Sequence, residues 1–212
     1  MSPRCTVIGA AACRYMTLKI LTKILQRTVH RLHCSGGQCA VGVANATNSF
    51  WDIDTTGLAV DIGLDNDGSS TTIGLSAGGI NPLLQASYVG LDFATTWWMS
   101  DTNTRPFLQS EWTTNITNSH QLQLIGMDAA TLSAAYTLGN DLDLGPDLAA
   151  GGMWDSTKGF VQIGQAGTGF TGVIDGGGFA ISNLTINRPT EDNVGLFGLS
   201  SGWIANLGLL TF

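Results

Sequence analysis

Residues 170–212 read FTGVIDGGGFAISNLTINRPTEDNVGLFGLSSGWIANLGLLTF, and the reading of this stretch decides the fold. Short apolar runs alternate with turns rich in Gly, Asn and Asp. Gly176-Gly177-Gly178 after Asp175 suits a tight corner, because glycine enters left-handed backbone without a steric penalty. The stretch also repeats itself: Ile181-Ser182-Asn183-Leu184-Thr185-Ile186 aligns with Ile204-Ala205-Asn206-Leu207-Gly208-Leu209 at an offset of 23 residues. A period of about 20–30 residues with short strands predicts a parallel β-helix. In that fold Leu184 and Ile186 point inward one level away from Leu207 and Leu209. Asn183 and Asn206 then stack at one corner, their amides hydrogen-bonded along the axis.

Composition agrees with a Gly-punctuated β architecture. Half of the 28 glycines lie in the last 62 residues, and charged residues make up 12% of the chain, against about 25% in an ordinary globular protein. The chain is 43% hydrophobic, enough for a core. Helical bundles and coiled coils, which need abundant charged helix formers, are excluded. Charge is split along the chain. All 16 acidic residues follow Phe50 and six of the nine basic ones precede it, so residues 1–50 carry +6 and residues 51–212 carry −13. The acidic body argues against a nucleic-acid partner, since phosphate contacts need clustered Lys and Arg. All four cysteines (Cys5, Cys13, Cys34, Cys39) lie in the first segment, and a Cys-free body suits an exported protein that folds without disulfides.

Three segments follow: a basic, Cys-containing 1–45, a Trp-rich 46–112 and a repeat block 113–212. Within the first, residues 15–33 have helical periodicity with a basic stripe (Lys19, Lys23, Arg27, Arg31). Such a helix suits an anionic membrane surface, a targeting presequence, or a plain helix ahead of the domain. No run approaches the ~18 apolar residues of a membrane span. Ala10-Ala11-Ala12-Cys13 faintly matches a lipoprotein cleavage box. His30, His33, Cys34 and Cys39 lack a regular zinc spacing. Because composition, charge and cysteines all differ from the body, residues 1–45 are expected to be dispensable for the fold.

In the middle segment, Asp65-Asn66-Asp67-Gly68 lacks the later Glu of a calcium loop and predicts an Asx turn. Residues 80–92 predict one short helix, with Pro82 in its first turn and Gly90 at its end. The aromatics Phe93, Trp97, Trp98, Phe107 and Trp112 form either a compact core or a sugar-stacking platform.

NSFWDIDTTG (48–57) with YVGLDFATTWWMSDTNTRPFL (88–108) resembles the segment closing a repeat block in filamentous-haemagglutinin-like bacterial exoproteins. NITNSHQLQLIGMDAATLSAAYTLGNDLDL (115–144) resembles the opening of the next block, which implies a capping helix at 119–133 and then a strand. Val194 followed by Gly195-Leu196-Phe197-Gly198 resembles the GLUG motif of surface adhesins. Residues 170–186 are similar to the FxGxφDGxGHxIxNLxI block (φ apolar) of the same proteins, with Phe179 where they commonly carry His. The resemblance covers 48–212. It implies a mainly β fold, a right-handed parallel β-helix fragment with a small mixed module and a short N-terminal helix.

Candidate chemistry is sparse. The body has one His, His120, which reads as a surface or cap residue. Asp141 and Asp143 share one strand face and could in principle do acid/base work on glycosides. Leu142 and Leu144 occupy the inward face, however, which puts both aspartates outside. Asn45, Asn115 and Asn183 begin N-glycosylation sequons. No catalytic, cofactor or metal residues are assigned and no cofactor is expected. The chain reads as a non-enzymatic adhesive segment of a large secreted or surface-exposed bacterial protein, a fragment without its export signal. Its expected partners are a host-surface or matrix ligand, glycan included, and its own continuing repeats. The alternatives are a polysaccharide-acting β-helix enzyme or tailspike-like protein, and a truncated gene product without its own role.

Overall fold

The computed structural model describes residues 48–58, 72–165 and 167–210. The expectations at 15–33, Ala10–Cys13, His30–Cys39, Asn45 and Asp65–Gly68, and the dispensability of 1–45, fall outside them. The chain divides into two compact units, Met1–Pro82 and Leu83–Phe212, so the Trp-rich segment 46–112 contributes to both.

In the first unit, strand β1 (Ser49–Asp52) runs parallel to β2 (Thr72–Leu75), with Phe50 opposite Ile73. Between them in sequence, α1 (Ile53–Thr56) starts at Asp52, whose carboxylate accepts from the Thr55 N–H at 3.0 Å. It ends at Gly57, whose φ of 64° is left-handed. Both are ordinary helix-end devices, satisfying backbone groups the helix itself leaves open.

The second unit begins with a 3₁₀ turn at Gln85–Ser87 rather than the helix expected over 80–92. Gly90 takes φ 91°, outside the helical region. An antiparallel hairpin follows, β3 (Trp97–Trp98) with β4 (Phe107–Leu108). Then come β5 (Asn115–Ile116), α2 (Ser119–Leu124), α3 (Ala129–Leu132), β6 (Ala135–Leu138), β7 (Leu142–Asp143) and α4 (Gly145–Leu148). The unit closes with β8 (Val173–Asp175), β9 (Ala180–Ser182), β10 (Trp203–Ala205) and β11 (Gly208–Leu210). The expected capping helix at 119–133 is thus two helices. Asn118 caps the first, and Asp128 caps the second in a reciprocal box with Thr131.

The strands join into parallel sheets of order β10-β8-β6-β5 and β11-β9-β7. The expected right-handed parallel β-helix is corrected by this arrangement. The described residues form four small sheets of two to four strands, one of them antiparallel, with short helices among them. Most strands have only two or three residues, and the chain between paired strands varies widely in length and content. Nothing imposes one repeating coil.

The 23-residue register is corrected with it. Ile204 pairs with Ile174, thirty residues earlier, and Leu209 with Ile181, twenty-eight earlier. Leu184, Ile186 and Leu207 are half-buried and Leu209 is 56% exposed, where burial was expected. The core lies elsewhere: Ile116, Leu124, Leu144, Phe160, Ile174 and Ile181 are fully buried. Each contributes roughly 1.5–3 kcal/mol relative to exposure. In the Gly195–Gly198 motif, Leu196 is buried and Phe197 packs on Phe170 with ring centroids 5.0 Å apart. A side chain at Gly198 would come within 2.4 Å of the Gly164 carbonyl oxygen, so the motif's second glycine permits a close backbone approach.

Candidate functional site

Asp141 and Asp143 lie on an outward face, as the alternation with buried Leu142 and Leu144 requires. Both are engaged at corners. Asp141 accepts the Ala180 N–H at 2.8 Å. Asp143 accepts from the Asn183 amide at 2.8 Å and from the Gly145 N–H at 3.0 Å. The same bracket recurs elsewhere: Asp175 accepts from the Gly177 N–H at 2.9 Å and the Asn206 amide at 3.0 Å. Asn183 and Asn206, expected to stack on each other, therefore each bond to an aspartate, at two different corners.

These hydrogen bonds favour the ionised form. The Asn183 amide and then the Gly145 N–H hold Asp143 below its ordinary value of 3.8. The Gly177 N–H and then the Asn206 amide do the same for Asp175. A carboxyl with a lowered pKa donates a proton poorly at neutral pH. The depressed values also give a stability effect, present above about 3.8 and lost as pH falls through the folded-state pKa. Melting temperatures of an Asp143→Asn, Asp175→Asn double variant should therefore decline less steeply below about pH 4 than those of the parent. Parallel declines would show that the brackets contribute nothing.

His120 corrects the surface reading. It is 3% exposed, with Nδ1 2.8 Å from Glu111 Oε2. Its ring meets Phe107 edge-on at 4.9 Å and Trp154 at 6.0 Å. Trp154 packs in turn against Phe160 at 5.9 Å and donates its indole N–H to Gln123 Oε1 at 2.8 Å. Of the aromatic residues singled out in sequence, Trp97 and Phe107 are buried, whereas Trp98, Phe93 and Trp112 are half-buried. The centre of the cluster is Phe107–Trp154–Phe160. It is a core, made by residues far apart in sequence.

A second polar network surrounds Arg188, whose side chain is 4% exposed. Its Nη1 donates to Glu191 Oε1 at 2.9 Å and Asn103 Oδ1 at 3.1 Å. Lys158 Nζ donates to the Thr102 carbonyl at 2.9 Å. Glu191 also accepts from the Gln162 amide at 2.9 Å. Hydrogen bonds from Gln162 and then Arg188 hold the Glu191 carboxyl below its ordinary value. Neither Lys158 nor Arg188 belongs to a motif in the sequence; the fold alone brings them to this network. Among the described residues, no three His, Cys, Asp or Glu side chains gather as a metal-ligand set. Of the sequons, Asn115 is exposed, while Asn183 is held by Asp143.

No protein-family model and no solved structure matches the chain. Over 77 residues, 36% of the chain, it is 42% identical to Halomucin of Haloquadratum walsbyi, and this stretch covers 1% of that protein. Among the described residues, no helix is long and apolar enough to cross a membrane.

Proposed function

We propose that the chain is a non-enzymatic structural and adhesive segment of a large protein exposed at the cell surface or secreted. The observation that carries this is the use of the outward carboxylates. Asp141 and Asp143, the side chains best placed for glycoside acid/base chemistry, accept corner hydrogen bonds from backbone N–H groups, as Asp175 does at a third position. The partial similarity to Halomucin supports a surface location, and the resemblance of 48–212 to repeat blocks of GLUG-containing exoproteins supports the adhesive role.

Two measurements test the reading. Brief protease treatment of intact native cells should remove the segment, because an exposed chain is accessible; full protection of the segment until lysis would reject the surface location. The purified chain should turn over no glycan. Cleavage that disappears in an Asp141→Asn, Asp143→Asn double variant would assign it to the polysaccharide-acting class instead.

A further inference from the structure

A cavity of about 210 Å³ lies within the second unit, walled in part by Trp98, Gln123, Leu132, Gln162, Gln165 and Thr168. It is too large for one ordered water, which needs roughly 10–15 Å³ on this measure, and smaller than the ~300–1,000 Å³ of drug-sized sites. None of the residues lining it is charged, so an ionic ligand would find no counter-charge in the wall.

Two of its glutamines differ in a way that points to a ligand. Gln123 is partnered at both ends: its Oε1 accepts from Trp154 Nε1 and the Val161 N–H, and its Nε2 donates to the Val161 carbonyl. Gln162 is 7% exposed, and its Nε2 donates to Glu191 Oε2 at 2.9 Å. Because a carboxylate only accepts, that bond fixes which end of the amide is oxygen. Oε1 is left buried without a donor. An unpaired buried acceptor of this kind is costly; it is closed to solvent as the side chain stands, and turning the Gln162 amide toward the cavity would let a ligand hydroxyl satisfy it. Glu191 is itself held by buried Arg188. Half-buried Trp98, set against Phe107 with centroids 5.9 Å apart, supplies an aromatic surface. At the rim, Gln165 and Thr168 are exposed and their backbones pair with each other.

We propose that this cavity binds one neutral pyranose unit of a glycan, with Trp98 packing on the sugar's apolar face and Gln162 Oε1 accepting a hydroxyl. The inference rests on the adhesive reading above and names its ligand class.

The test is a titration of the ¹⁵N-labelled full chain with millimolar D-glucose, D-galactose and N-acetyl-D-glucosamine, with D-glucuronate as the charged comparison. At least one neutral sugar should shift the Trp98 indole and Gln162 amide resonances saturably, and glucuronate should not. Gln162→Met and Trp98→Leu should each weaken binding about tenfold or more, the loss of one charge-free polar or aromatic contact. Thr168→Val, at the exposed rim and outside the core, should weaken it several-fold and guards against a folding defect in the other two. No shift with any neutral sugar, equal binding of glucuronate, or binding that survives all three substitutions would overturn the proposal. Surface protease treatment reads location without any sugar, so the two proposals can fail separately.

Discussion

Replacing Gly159 with alanine is expected to destabilise the second unit by about 4 kcal/mol, combining left-handed strain of ~1–2 kcal/mol with overpacking of ~1–3 kcal/mol or more. Gly159 has φ 77°, and a Cβ there would lie 2.0 Å from the Thr185 carbonyl oxygen. Neither backbone can easily withdraw. The Phe160 N–H donates to that same carbonyl at 2.9 Å, and the Asn187 N–H donates to the Lys158 carbonyl at 2.8 Å. Gly178 provides the comparison. Its φ is 85°, but nothing lies within 4 Å of its would-be Cβ. Gly178→Ala should therefore cost only the conformational strain, about 1–2 kcal/mol. Thermal unfolding of both variants separates the two contributions. If Gly159→Ala melts no lower than Gly178→Ala, the close approach at Thr185 is not what makes glycine necessary there.

What could be read from the sequence was local. Alternation of Asp141, Leu142, Asp143 and Leu144 assigned the outer and inner faces correctly, because side chains on a strand point to opposite sides whatever the partner. The helix start at Ser119, which the family resemblance implies, also rests on a local device, since the Asn118 side chain accepts the Gln121 N–H within its own turn. Register was not legible. The Asn in Ile-x-Asn-Leu-x-Ile follows β9, whereas its counterpart in the aligned segment lies between β10 and β11. Both take left-handed backbone, with φ 55° at Asn183 and 53° at Asn206. The similarity thus records the same corner chemistry used at two places and is not a structural period. The burial of His120 is not legible locally, because its partners come from other elements. Glu111 lies across β5, and Trp154 is more than thirty residues on. Gln162 and Arg188 gave no motif at all: only the fold brings both to the Glu191 carboxylate.

Trp154→Ala should be the most damaging side-chain truncation, at roughly 3–5 kcal/mol for removal of a buried large aromatic. Trp154 is 2% exposed and touches Phe107, His120 and Phe160 with its ring. It also holds Gln123 Oε1, whose amide bridges to Val161. At a few degrees per kcal/mol for a domain of this size, the melting temperature should fall by roughly 10 °C. Packing and hydrogen bonding can be told apart with Trp154→Phe. That change removes the indole N–H but keeps an aromatic ring, and Gln123 Oε1 retains the Val161 N–H at 3.2 Å. Its cost should therefore stay near 1 kcal/mol, the value of one net hydrogen bond. If Trp154→Phe is as damaging as Trp154→Ala, the Gln123 bridge rather than the aromatic packing sustains this core. The Gln123 bridge would then have to be treated as the element that joins α2 to residues 154–161.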